Sequence, residues 1–510
     1  MFSTVLSATL RGLKVEFVHV EVDVSNGLPM FHMVGYLSSE VKEAAERVRT
    51  AIRNIGIKMP PKKIVINLSP ATVKKRGASF DLPIAVAMLA AMECIDSIAL
   101  EGSLIVGELS LDGRVQKVSG ILPMVLEAKK SGYQTCVVPK ENAAEGAIVD
   151  GMNVLGVSTL EEVFGYFAGD ILLRPEITTV SSEKSGHYED ESLDFRNVQG
   201  QTLMKRATEV AVAGQHNLLF VGPPGAGKTM IAKCIPTIFP PLTLEESIEI
   251  TKIYSVLGQV ESKYPLITKR PFREVHHTVT KAALIGGGTI PIPGEISLAT
   301  GGVLFLDELA EFPKAVIEAL RQPLERHSIQ ITRSRGNYTF PADFMLISAM
   351  NPCPCGNYPN LDKCICTEYQ IRSYLRKISQ PFLDRLDICV EAPKVEYEDL
   401  TGNEVMESSA TIRQRICRAR EIQRQRYQGT QINNNGNLPP NELERYCKLG
   451  DTQRDVMKQA YKAYELTART YHKILRVART IADLEGTKQI EMNHLKEALG
   501  YRMMDQKYWR

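Results

Sequence analysis

The chain has 510 residues, too many for one ordinary core and enough for two to four domains of about 100–200 residues each. Its 61 Lys and Arg against 59 Asp and Glu leave a formal charge of +2, which excludes a globally basic, histone-like binder and confines any nucleic-acid contact to a local patch. A composition of 44% apolar and 24% charged residues excludes a disordered or collagen-like chain.

In chain order, residues 1 to about 170 mix strand-like runs with helical patterns. Arg11 interrupts the only apolar stretch at the N-terminus, so no signal peptide is expected. Ser39 to Asn54 and Leu82 to Met92 read as helices, Lys63–Leu68 and Cys136–Val138 as strands, and Asp112-Gly113 as a turn between the runs Ser103–Val106 and Val115–Val118. Leu82 to Met92 is the longest apolar run and falls far short of the ~18–20 residues of a membrane helix, so no membrane partner is expected. From Arg174 to Asp194 the composition turns to Pro, Thr, Ser and acidic residues, which predicts a polar linker.

Three apolar strands then alternate with helical stretches, at Leu218–Val221, Val303–Leu306 and Phe344–Ser348. This pattern predicts an α/β unit with a parallel sheet covered on both faces. Beyond about Val395 the chain reads as helical. Tyr471, Ile474, Ala478 and Ile481 share a helix face, Gly486 is placed as a stop, and a polar gap from Gln428 to Asn437 divides the region.

Gly222, Pro223, Pro224, Gly225, Ala226, Gly227, Lys228 and Thr229 spell G-x-x-x-x-G-K-[ST] between a strand and a helix. In that context backbone N–H groups converge on phosphates, Lys228 reaches the β- and γ-phosphates of ATP, and Thr229 ligates Mg²⁺. The second strand ends in Asp307, suited to the Mg²⁺ shell, and Glu308, suited to polarising the attacking water. The third leads to Asn351, an amide able to orient that water, although a turn residue before Pro352 is the simpler reading of Asn351 alone.

Cys353, Cys355, Cys364 and Cys366 form two C-x-C pairs with turn residues between them. Four thiolates are the complement of a closed tetrahedral Zn²⁺ site; four reduced thiols in a loop is the competing reading. Ten cysteines, four of them so grouped, fit a reducing compartment, and the chain is expected to be cytoplasmic.

The chain resembles the YifB/ComM family of magnesium-chelatase-like AAA+ ATPases. The residues that carry this are Gly200-Gln201 through Thr229, Gly294 to Ala299, Leu304–Glu308, Met350 to Gly356, Phe382 to Asp387 and Leu475 to Asp483. The N-terminal part resembles the Lon-protease fold. The resemblance implies a Lon-protease-like α+β domain over 1–172, a linker over 173–194, an AAA+ P-loop core over 195–394 with a cysteine knuckle at 353–366, and a C-terminal helical lid over 395–510. It also implies a homo-oligomeric ring, hexameric in this family, with ATP held between subunits. Asn351 becomes sensor 1, Arg385 the arginine finger acting on the neighbour's ATP, and Arg469 the sensor-2 arginine, with Arg476 as the alternative. Ser79 aligns with the Lon nucleophile, but Leu122 stands where Lon has its lysine, so the domain is expected to be proteolytically inactive.

Three functions remain open: a DNA helicase or branch-migration motor in DNA uptake or recombination, acting on single-stranded or branched DNA; a chelatase-type ATPase that remodels a protein; and an ATP-dependent Lon-like protease. Ser328–Thr332 and Asn337–Phe340 alternate like two strands of a hairpin with Arg333 and Arg335 at its tip, where related ring helicases carry a pore loop, so these arginines are the candidate DNA contacts. The arginine-rich helix Ile412 to Tyr427 is the rival, read as mostly solvated or inter-subunit.

Overall fold

The computed structural model describes residues 1–178, 192–289, 291–333, 336–395, 397, 406–502 and 504–509. The chain forms two compact units, one of Met1–Ser182, Thr243–Ile267 and Ser334–Thr339, the other of Glu183–Leu242, Thr268–Arg333 and Phe340–Arg510. Most of the acidic linker stretch, including Ser181 to Gly186, lies outside the described residues.

The first unit is built on a mixed seven-stranded sheet in the order Met30–Val34, Lys63–Ser69, Lys14–Ser25, Phe2–Arg11, Ser103–Ile105, Thr135–Pro139 and Asn153–Val157. Ile64, Ile66 and Leu68 alternate inward along their strand, as a half-buried sheet demands. The helix Ser39–Asn54 buries Val41, Ala44, Val48, Ala51 and Ile52, a single 3.6-period stripe. The helix Asp81–Ala91 is buried all round, and its acidic first residue is held by a fork from Arg47, whose Nε and Nη2 lie 2.7 and 3.0 Å from the carboxylate. The turn at Asp112-Gly113 forms, but it joins the short strands Glu108–Leu109 and Val115–Gln116. The earlier apolar run Ser103–Ile105 pairs instead inside the large sheet.

A segment from the middle of the sequence completes this unit. Thr243–Ile267 carries the helix Leu244–Val256, opened by a capping box between Thr243 and Glu246. Ser255 donates its hydroxyl to Glu145 while its backbone carbonyl accepts the Gly120 N–H at 2.9 Å, and Lys117 donates to the Val260 carbonyl at 2.7 Å. Glu145 also accepts the N–H of the wholly buried Leu122 at 3.0 Å.

The second unit holds a parallel five-stranded sheet in the order Phe272–Val275, Val303–Leu306, Met345–Met350, Leu218–Val221 and Ile388–Glu391. The three strands expected from sequence are its centre. Two further strands flank them, and Phe272–Val275 escapes a hydropathy reading because only two of its four residues are apolar. All five run the same way, so Gly222, Asp307, Asn351 and the residues after Val275 emerge at one edge, where α/β sheets place ligands.

The helical C-terminal region includes Ser409–Arg426, Asp451–Ala463, Ala468–Leu484 and Met492–Gly500. Ile474, Ala478 and Ile481 are buried as their spacing predicts, and Gly486 follows the helix end with φ +72°. The polar gap before them is not a solvated break: Asn434 and Asn435 are buried, and Asn435 bonds Thr480 and Asp483 at 3.0 and 2.8 Å. Nor are all the arginines of Ser409–Arg426 solvated. Arg415 pairs with Glu209 and Glu407, Arg426 with Asp483, and Arg420 donates to the Val212 carbonyl at 2.8 Å.

Candidate nucleotide site

The strand Leu218–Val221 is wholly buried and ends at Gly222, where a Cβ would stand 2.2 Å from the Ala392 carbonyl. Only glycine lets the chain turn so close to the neighbouring strand. Gly225 and Gly227 take φ of +78° and +80°, a left-handed backbone that other residues adopt at a cost, and the helix Lys228–Ile238 begins directly after. The loop therefore ends on free helix N–H groups, the arrangement that receives phosphate.

Lys228 is buried, and its ammonium donates to the carbonyls of Gly222 at 2.7 Å and Pro223 at 2.8 Å and to Asn351 Oδ1 at 3.2 Å. Burial lowers its pKa to about 8, against the pull of Asp307 and Glu308. Thr229 Oγ1 donates to Asp307 Oδ2 at 2.6 Å, while Asp307 Oδ1 accepts the Glu308 N–H at 2.9 Å. Glu308 is exposed, with φ +51°, and His277 Nδ1 stands 3.7 Å from its carboxylate.

Pro224 to Thr229 line one cleft of about 400 Å³ with Asp307, Glu308 and Asn351. A hydroxyl beside a carboxylate, an ammonium held only by neutral oxygens and a run of loop N–H groups fit a nucleotide triphosphate with its divalent ion. His277 was not foreseen. It follows the edge strand Phe272–Val275, and the His276-His277 pair is a signal only once that strand is placed beside the acid strand.

Arg385, expected to act on a neighbour's ATP, and the sensor-2 candidates Arg469 and Arg476 lie away from the P-loop cleft. Arg385, Arg469 and Arg476 line a second cleft of about 660 Å³ with Lys473 and Asp387, and the two clefts have no lining residue in common among the described residues. Arg385 donates to the Glu325 carboxylate and to the carbonyls of Pro381 and Arg321, the last at 3.3 Å. Arg469 is exposed on the first turn of Ala468–Leu484.

Cys353, Cys355, Cys364 and Cys366 come together, with all four sulfurs within 4.8 Å of one another. Ser328–Arg333 and Gly336–Pro341 form a two-stranded sheet; Arg333 is exposed at its end, and Arg335 lies outside the described residues. No helix among the described residues is long and apolar enough to cross a membrane.

Three family models match the chain: "Magnesium chelatase, subunit ChlI" over residues 194–400, "Subunit ChlI of Mg-chelatase" over 20–142, and "Magnesium chelatase, subunit ChlI C-terminal" over 406–502. The chain is 43% identical over 503 residues to Competence protein ComM of Haemophilus influenzae, covering 98% of this chain and 97% of that one. It is 41% identical over 505 residues to the uncharacterized protein YifB of Escherichia coli, covering 99% and 97%. The N-terminal region is similar to Lon protease 2 of Bacillus subtilis, 31% identical over 141 residues, which is 27% of this chain and 24% of that one. With a P-loop cleft at the edge of a parallel sheet and relatives matched from end to end, the chain belongs to the YifB/ComM family of magnesium-chelatase-like AAA+ ATPases.

Proposed function

We propose that the protein is an ATP-hydrolysing ring motor, hexameric as its family resemblance implies, that moves single-stranded or branched DNA in uptake or recombination in the cytoplasm. The observation that carries the ring reading is the separation of the two clefts. Phosphoryl transfer needs positive charge on the far side of the transferred group, yet Arg385, Arg469 and Arg476 line a cleft other than that of their own P-loop. Supply by a second copy resolves this. Arg385 would then exchange its Glu325 carboxylate for the neighbour's phosphate, and Arg469 would act beside it.

Bound ATP with Mg²⁺ supplies the phosphoanhydride and the divalent charge. The N–H groups of Gly225 to Thr229 and the Lys228 ammonium hold the phosphates, and Thr229 with Asp307 offers the oxygens for the metal. Glu308 takes the proton of the attacking water, which Asn351 orients, and His277, 3.7 Å from the Glu308 carboxylate, is placed to orient it.

The similarity to a competence protein supports DNA as the substrate. Arg333, with Arg335 two residues on, offers the local positive charge that phosphates require in a chain of net charge +2. The N-terminal domain we read as proteolytically inactive, since Leu122, which is buried, stands where Lon has its catalytic lysine. The four cysteines we read as a zinc site. Chelatase-type remodelling of a protein is the second reading, supported by the descriptions of the family models.

ATPase turnover measured with and without single-stranded, duplex and forked DNA decides between them. Stimulation by single-stranded or forked DNA is expected, and its abolition together with strand displacement in Arg333→Ala/Arg335→Ala with basal turnover intact. No response to any DNA would favour the protein-remodelling reading.

A further inference from the structure

The cysteine knuckle adjoins the nucleotide site, following the lining residue Asn351 in the chain and packing on the lining residue Pro224. It leaves the strand Met345–Met350 directly after Asn351, and its buried Cys353 is the second residue on. Gly356 turns back with φ +79°, and a Cβ there would lie 2.5 Å from Cδ of Pro224, a lip residue of the nucleotide cleft. The knuckle therefore touches the cleft twice, through the chain at Asn351 and through packing at Pro224.

The sulfur geometry fits a four-thiolate metal site better than a disulfide. Cys353 and Cys355 Sγ are 3.4 Å apart, Cys353 and Cys364 3.8 Å, and Cys355 and Cys364 3.6 Å. A tetrahedron with zinc–sulfur arms of about 2.3 Å has edges of about 3.8 Å, whereas a disulfide requires about 2.05 Å. The Tyr358 N–H points at Cys353 Sγ at 3.4 Å and the Asn357 amide at Cys355 Sγ at 3.9 Å, donors of the kind that stabilise thiolate ligands. The loop has little apolar core of its own, for Leu361 and Ile365 are 79% and 88% exposed. A loop of this size without a core takes its shape from a bound ion.

We infer that zinc held by Cys353, Cys355, Cys364 and Cys366 is a strut of the nucleotide pocket, so that zinc and nucleotide bind cooperatively. The inference rests on the ATP-site reading above. Loss of the ion frees the arm carrying Asn351 and removes the support behind Pro224, which weakens the grip on phosphate. Coupling is reciprocal: whatever factor zinc adds to nucleotide affinity, nucleotide adds to zinc affinity.

The test uses the full-length protein purified without chelator. Metal analysis is expected to give about one zinc per chain. Removing it with a zinc-selective chelator is expected to weaken binding of a fluorescent non-hydrolysable ATP analogue by roughly 5–150-fold, with recovery on adding zinc back. Saturating analogue should tighten zinc binding by the same factor. Cys364→Ser/Cys366→Ser, whose fold is checked by circular dichroism, should lose the ion and show the same weakening; if it misfolds, the chelator titration of the unaltered protein decides alone. Metal-free protein with four titratable thiols in a folded knuckle overturns the site. Stoichiometric zinc with identical nucleotide affinity before and after stripping overturns the strut. A zinc-replete protein that binds no analogue overturns the ATP-site reading instead, and its zinc content still decides the metal site.

Discussion

The ammonium of Lys228 stands 3.2 Å from the amide oxygen of Asn351, joining the P-loop to the tip of the adjacent strand across 123 residues of sequence. The lysine is thus preorganised by neutral oxygens, and the phosphates it meets replace partners that carry no full charge. Lys228→Ala should weaken binding and hydrolysis together, because it removes charge from both ground and transition states. Equilibrium binding of a fluorescent ATP analogue and steady-state turnover check this; a defect in turnover alone would move Lys228 out of the binding role.

The same lysine makes binding depend on pH. Burial holds it near 8 in the free protein, and polyphosphate favours the protonated form. Binding should therefore take up a proton once the pH reaches about 8 and weaken as it rises further. Calorimetry in buffers of different ionisation enthalpy reads the uptake directly, and Lys228→Met should abolish it.

Glu308→Gln should keep ATP binding and lose hydrolysis by roughly 10²–10⁴-fold, since the amide preserves shape and cannot accept the proton. His277→Ala should lower turnover less, with KM unchanged, because it positions the carboxylate without touching substrate. Single-turnover hydrolysis separates the two; normal turnover in Glu308→Gln would place the base elsewhere.

An arginine finger is worth roughly 10³–10⁵ in rate. Arg385→Ala and Glu308→Gln subunits, each inactive alone, should regain part of the ATPase on mixing, since one carries an intact P-loop cleft and the other an intact arginine cleft. Absence of rescue in rings shown to exchange subunits would count against a shared site.

His216 is wholly buried, with Nε2 2.8 Å from Thr480 Oγ1. Burial holds its pKa down at about 4, against the pull of Asp387 and with the help of Arg476, Arg420 and Lys473. As pH falls, the unfolded chain takes up the proton first, near the ordinary 6.5. The stabilisation is thus complete above pH 6.5 and lost on descent toward 4. Thermal midpoints between pH 7 and 4.5 should fall more steeply for the native protein than for His216→Gln; equal slopes would assign the loss to other groups.

What the sequence disclosed was what one residue or one short run determines. Four apolar residues ending in Asp307-Glu308 can hardly be anything but a buried strand with acids at its tip, and the loop Gly222–Thr229 announces its own ligand. What stayed hidden depends on neighbours distant in sequence. Phe272–Val275 is a strand because Val303–Leu306 lies beside it, and His277 has meaning only from that pairing. Asn435 reads as a loop residue until Asp483 and Thr480 are placed against it. Arg415, Arg420 and Arg426 look like a solvated surface because their partners Glu209, Val212 and Asp483 lie on other helices.

The excursion of Thr243–Ile267 has a practical consequence for anyone cutting the gene. A fragment begun at the linker would contain every residue of the P-loop cleft, yet it would carry a helix whose natural packing partners had been deleted. Ile248 and Leu266 pack against the cluster of Leu6, Leu104, Ile121 and Val125, and these would face water in the fragment. Such a fragment should be sticky where the whole chain is not, and removing 243–267 along with the N-terminal region, rather than the N-terminal region alone, is the excision that follows the grain of the fold.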